Sequence, residues 1–175
     1  PEVLEAMNPY FIEKNGNPSS IHSFSEEPLE AISQAREKVA RLVGAKVEEI
    51  VFTSCGTEAN NHAVKGVAFQ HLDKKGHIIV SSIEPFSIWY VVRRLQKWGF
   101  RVTYVPVDGF GMVNPDDVAK AITDDTVLVS IQLASNEVGT IQPIKEIAGI
   151  VRIKNIPFHT DAVAAAGVIP VDVNE

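Results

Sequence analysis

Short apolar runs recur along the chain at IVFT (50–53), HIIVSS (77–82), FRVTYVP (100–106), TVLVSIQ (126–132) and PFHT (157–160), with amphipathic stretches of helix length between them. β-Branched and aromatic residues dominate the runs, which predicts strands over Ile50–Thr53, His77–Ser82, Phe100–Pro106, Thr126–Gln132 and Pro157–Thr160. Helices are predicted to begin near Thr57, Phe86, Asn114 and Pro143. Gly99 after Trp98 reads as a helix stop, and Asn114 followed by Pro115, Asp116 and Asp117 reads as a capped start. Ahead of this alternation, Pro1 to Tyr10 reads as a short helix and Asn15 to Ser20 as a loop of turn formers. A long helix is predicted next, capped by Ser25, with Glu26, Glu27 and Pro28 in its first turn. Leu29, Ile32, Val39, Leu42 and Val43 form its apolar face, and Gly44 ends it.

Strands alternating with helices predict an α/β fold, a mainly parallel sheet with helices on both faces. The near-continuous apolar run VLVSI (127–131) fits a strand buried on two sides. No repeat, low-complexity tract or flexible linker interrupts the chain, so residues 1–175 are expected to form one domain. Ligands of such sheets sit at the carboxyl ends of the strands. Four polar groups fall there: Thr53–Thr57, Glu84, Ser135–Glu137 and Asp161.

At 175 residues and 45% hydrophobic content the chain has enough apolar material for one core, and it holds no apolar run of membrane-crossing length. A net charge of −6 without a Lys/Arg cluster argues against a nucleic-acid surface. The single cysteine, Cys55, excludes an intramolecular disulfide, and the first residues carry no basic-then-apolar leader, so a cytoplasmic location is expected. The chain starts at Pro1 and stops at Glu175 just after a hydrophobic segment, and an incomplete domain is expected from those ends.

The run from Ile50 to Gly66 passes from an apolar strand through small residues into a helix. Backbone N–H groups at a helix start lack intrahelical partners and carry the positive end of the helix dipole, so Cys55, Gly56 and Thr57 offer donors to a phosphate. Tight strand-to-helix packing with Thr57 as a cap accounts for the same residues without a ligand. Asp161 closes the strand IPFHT, where a carboxylate needs a partner; it serves either a ligand or the cap of a helical segment over Ala162–Gly167. Asn136 follows VLVSIQ and either meets a ligand or caps the loop toward Gly139. Together, a phosphate seat, an amide and a carboxylate at one sheet edge match the needs of pyridoxal 5′-phosphate. The phosphate takes the Cys55–Thr57 turn, the ring hydroxyl takes Asn136, and Asp161 keeps the pyridine nitrogen protonated. No Gly-x-Gly-x-x-Gly pattern and no Gly-Lys-Ser/Thr loop is present, which disfavours a nucleotide-binding domain.

The chain also resembles the cysteine desulfurases of the class V aminotransferase group. The resemblance is carried by GNPSSIHSF (16–24), VFTSCGTEANN (51–61), DDTVLVSIQLASNEVGTIQPI (124–144) and FHTDAVAAAG (158–167). It implies the large domain of the type I pyridoxal-phosphate transferase fold, with Thr57 on the phosphate, Asn136 on the ring hydroxyl and Asp161 on the ring nitrogen. It also implies sulfur removal from cysteine or a related amino acid, leaving alanine and an enzyme persulfide. Expected partners are a second copy of the chain, in a homodimer, and a sulfur acceptor or iron–sulfur scaffold protein. His159 stands where such enzymes often have histidine, with a structural role in the strand as the plainer reading.

Family members anchor the cofactor to a lysine beyond the Asp161 strand, and this chain has no lysine after Lys154. Their sulfur-accepting cysteine also lies later, so Cys55 is read as a small residue of the phosphate turn and no residue of this chain as catalytic. The segment alone is therefore expected to be inactive. Where the family has Glu-His the chain has Glu84-Pro85, and where it has a glutamine three residues after the aspartate the chain has Ala164. Pro85 carries no titratable group. Pro85 and Ala164 mark a divergent member, and Pro85 with the missing lysine gives a non-catalytic relative used for binding or regulation as the alternative function.

Overall fold

The computed structural model describes residues 1–175, which fall into two compact units, Pro1–Val51 with Val171–Asn174, and Phe52–Pro170 with Glu175. In the first, α1 (Glu2–Ile12) is followed by turns and then by α2 (Glu26–Val43). Both predicted helices form. α2 stops where Gly44 adopts φ 68°, a left-handed conformation that glycine takes without a Cβ penalty. The orphan carbonyls at this end are used: Asn174 Nδ2 donates to Gly44 O at 2.5 Å and Val173 N to Val43 O at 2.9 Å. Ser25 precedes α2 but does not cap it. Its hydroxyl donates backwards to the Ser20 and His22 carbonyls, and its backbone is already helical.

The second unit holds α3 (Gly56–Phe69), β1 (His77–Ser81), α4 (Phe86–Lys97), β2 (Arg101–Val105), α5 (Pro115–Ala121), β3 (Thr126–Ser130), α6 (Ile144–Ile153) and β4 (Phe158–His159). The strands are all parallel in the order β2-β1-β3-β4. Every residue of β1 is buried, as expected of a strand covered on both faces. Ile78, Val80 and Leu128 pack with Val64, Ala68, Ile88, Val92 and Leu95 of α3 and α4. The alternate positions, Ile79, Val129 and Ile131, pack with Val118 of α5 and with Ile147 and Val151 of α6. The two-residue period of the strands thus divides the core into two layers.

α5 begins as predicted, with Asn114 Oδ1 accepting from Asp116 N at 2.9 Å and Pro115 in the first turn. The predicted strand at Ile50–Thr53 does not form. A strand requires a hydrogen-bonded neighbour, the four-stranded sheet offers it none, and Val51 and Phe52 are 63% and 47% exposed. The segment Ala162–Gly167 is a series of turns rather than a helix, with Ala165 N and Ala166 N both donating to Ala162 O.

Candidate functional site

Parallel strands bring their carboxyl ends to one edge, so the connections that follow β1, β3 and β4 meet there. After β4 comes Asp161, half-buried. Its Oδ1 accepts from Val163 N at 2.9 Å, closing a tight turn, and its Oδ2 accepts from Asn60 Nδ2 at 2.6 Å. Asn60 lies on α3, is 4% exposed, and places the same Nδ2 2.8 Å from Ser87 Oγ of α4. Asp161 is therefore held by two donors from different parts of the chain. Two residues earlier, His159 is half-buried with Nδ1 2.8 Å from Ser130 Oγ. Burial holds its imidazole below the usual histidine range, against the pull of the Asp161 charge.

The start of α3 is built from small residues. Cys55 is extended at φ −169°, and a Cβ on Gly56 would stand 2.9 Å from Val163 Cγ2, so glycine permits close approach to the turn after Asp161. Glu58 reaches back over this start, accepting from Ser54 N at 2.7 Å and Ser54 Oγ at 2.6 Å. Cys55 is exposed, and its thiol is held below its ordinary range, first by the backbone N–H of Glu58 and then by the Ser54 hydroxyl. This end of the helix favours an anion. Thr57 is exposed and lines a surface cavity of about 290 Å³ with Asn61, Lys65, Phe86, Ser87 and Arg94.

After β1, Glu84 is 9% exposed. Its Oε1 accepts from Ser81 Oγ at 2.6 Å and from Gln132 N at 2.9 Å, tying the ends of β1 and β3 together. Its Oε2 is buried without a hydrogen-bond partner, as is Thr160 Oγ1 after β4. Burial pushes the Glu84 carboxyl up to about 7, and the Asp161 charge adds to the rise while the Ser81 and Gln132 donors oppose it. Pro85 precedes α4, and its carbonyl accepts from Ile88 N and Trp89 N. After β3, Ser135 N donates to Thr140 O, and Gly139, at φ 77°, donates to Ser135 O, a turn that leaves Asn136 exposed. Asn136 lines a cleft of about 270 Å³ with Ser82, Glu84, Pro85, Gln132 and Ser135.

The geometry thus gathers the predicted residues in two groups. Asp161 joins the α3 start through Asn60 and the Gly56–Val163 approach, whereas Asn136 joins Glu84 in the cleft between the β1 and β3 connections. Ala164 is exposed on the turns beyond Asp161. Asn60, Ser87 and Gln132 were not singled out from the sequence. Asparagine inside a helix is disfavoured and asks for a reason, but that signal marks Asn60 and Asn61 alike.

Residues 1–175 match the aminotransferase class-V family. The chain is 53% identical to cysteine desulfurase IscS of Dictyoglomus turgidum over 174 residues, 99% of this chain and 44% of that protein. It is equally 53% identical to cysteine desulfurase IscS of Methanosarcina thermophila, over 99% of this chain and 43% of that protein. Among solved structures, SspA in complex with cysteine superimposes with a TM-score of 0.97 at 42% identity, covering 99% of this chain and 50% of that one. A NifS-like protein gives 0.95 at 42% identity, covering 99% and 48%. The chain therefore spans less than half the length of the curated relatives it matches. A sheet of parallel strands with helices on both faces, the polar groups at its carboxyl edge and the match over the full 175 residues agree, and the chain belongs to the class-V aminotransferase family.

Proposed function

We propose that this chain is the cofactor-binding part of a pyridoxal-phosphate enzyme that takes sulfur from cysteine, leaving alanine and an enzyme persulfide. The observation that carries this reading is the setting of Asp161, an oriented carboxylate at the end of β4 with the anion-favouring start of α3 beside its turn. The donors at the α3 start and the Asp161 carboxylate suit the cofactor's phosphate and ring nitrogen. The N–H groups around Cys55, Gly56 and Thr57 would hold its phosphate, Asn136 its ring hydroxyl and Asp161 its ring nitrogen, with Asp161 keeping a proton on that nitrogen. The unpartnered buried oxygens of Glu84 and Thr160 leave polar capacity at the same edge. Bound pyridoxal phosphate supplies an electron sink for the substrate carbon whose proton is removed. The residues described here bind and orient it.

The relatives named as cysteine desulfurases and the neighbour solved with cysteine support cysteine as substrate. On this reading the full-length protein is a cytoplasmic homodimer that passes its sulfur to an acceptor or an iron–sulfur scaffold protein. Pro85 favours a second reading, a non-catalytic relative that binds the cofactor without turnover, because a proline at the start of α4 moves no proton. The test is alanine release from cysteine by the full-length protein. The enzymatic reading expects turnover that falls on the order of 100-fold in Asp161→Asn with cofactor still bound. Cofactor binding without protein-dependent alanine release would favour the second reading, and no cofactor binding would reject both.

A further inference from the structure

Asn60 of α3 is a buried polar side chain that meets both α4 and the turn after β4. A primary amide buried at 4% exposure one turn into α3 costs stability unless its hydrogens find acceptors. Both do: Nδ2 lies 2.6 Å from Asp161 Oδ2 and 2.8 Å from Ser87 Oγ. This arrangement fixes which end of the amide faces Asp161, since an ionised carboxylate only accepts. The neighbouring Asn61 behaves differently, donating back to Thr57 O at 2.8 Å within its own helix. Asp161 is fastened on its other oxygen by Val163 N, and Val163 in turn packs against Gly56 at the helix start. Asn60, Asp161, Val163 and Gly56 thus close a ring of contacts linking the first turn of α3 to the carboxylate.

We infer that Asn60 is a positioning residue that sets the spacing between the N–H groups at the start of α3 and the Asp161 carboxylate. This inference rests on the proposed pyridoxal-phosphate reading, in which those two groups receive opposite ends of one rigid ligand. A two-ended ligand gains from pre-set spacing because neither end must reorganise the protein on binding. A ligand that touches one end gains nothing from it.

The test uses the full-length protein, with Asn60→Leu to remove the donor at similar size and Asn60→Ser to shorten the side chain while keeping it polar should the leucine variant not fold. Circular dichroism establishes the fold of each. Dissociation constants are measured for pyridoxal phosphate and, by competition, for inorganic phosphate, and the Val163 amide resonance is followed by NMR without cofactor. The expected result is a loss of pyridoxal-phosphate affinity of roughly 10- to 100-fold with a shifted absorption band of the bound cofactor. Inorganic phosphate should bind as in wild type, and the Val163 amide should move in the unloaded protein. Folded variants that bind the cofactor with wild-type affinity and an unchanged band would overturn the positioning role alone. Failure of the wild-type protein to bind pyridoxal phosphate would instead overturn the functional reading on which it rests.

Discussion

Glu84 concentrates the chemistry of the sheet edge in one side chain. One of its oxygens carries two hydrogen bonds and the other is buried with none, so the folded protein favours the protonated acid. Burial raises its folded value from 4.5 to about 7. Its stabilising contribution is therefore complete below the unfolded value and is lost as pH rises through the folded one, because the unfolded chain releases the proton first. Over that window wild-type stability should fall by about 3 kcal/mol through this group. Glu84→Gln keeps an oxygen for Ser81 Oγ and Gln132 N but has no proton to lose. Urea unfolding of both proteins at about pH 4 and about pH 8 should show the variant gaining on wild type by about that amount at the higher pH. A difference independent of pH would mean that Glu84 titrates as an ordinary surface carboxylate.

At the scale of elements, burial separates helices that look alike in sequence. Leu95 of α4 is 0% exposed and lies among Ile88, Val92 and Leu128, whereas Leu42 of α2 is 55% exposed despite its place on an apolar stripe. Leu95→Ala should cost roughly 2–5 kcal/mol and Leu42→Ala less than about 1 kcal/mol in denaturant unfolding of the chain. Similar costs would contradict the burial seen here. Helix ends were legible where the signal is local: Asn114 accepts from Asp116 N, and Gly44 turns left-handed after α2. The strand over Ile50–Thr53 was not, because a run of β-branched and aromatic residues reports a preference for extension while the ladder depends on a neighbour that sequence spacing does not supply. Ser25 satisfies the residue preference for a cap yet donates backwards, since its hydroxyl has nearer carbonyls at Ser20 and His22. The candidate site was legible only in its placement. Asp161 and the α3 start could be named from strand and helix ends, but Asn60 finds Asp161 across 101 positions of sequence, and no local rule distinguishes it from Asn61.

For the molecule as a whole, stability should be unevenly distributed. β1 is buried along its entire length and hydrogen-bonded on both sides, by β2 and β3, so its amides open only when the core of the second unit is lost. α1 has no buried residue, exposes Val3, Leu4, Phe11 and Ile12, and contains Pro9, which lacks an N–H for the helix ladder. A helix of 11 residues without tertiary burial is marginal in water. Amide hydrogen exchange on the 175-residue chain should accordingly find β1 protected to the level of global unfolding and α1 exchanging orders of magnitude faster. The comparison is internal to one sample, so pH and temperature cancel once intrinsic rates are corrected for sequence. Equal protection in α1 and β1 would mean that α1 is buried in solution against a surface that its exposed apolar residues meet there, and the chain would then unfold as a single cooperative body rather than from its first helix inward.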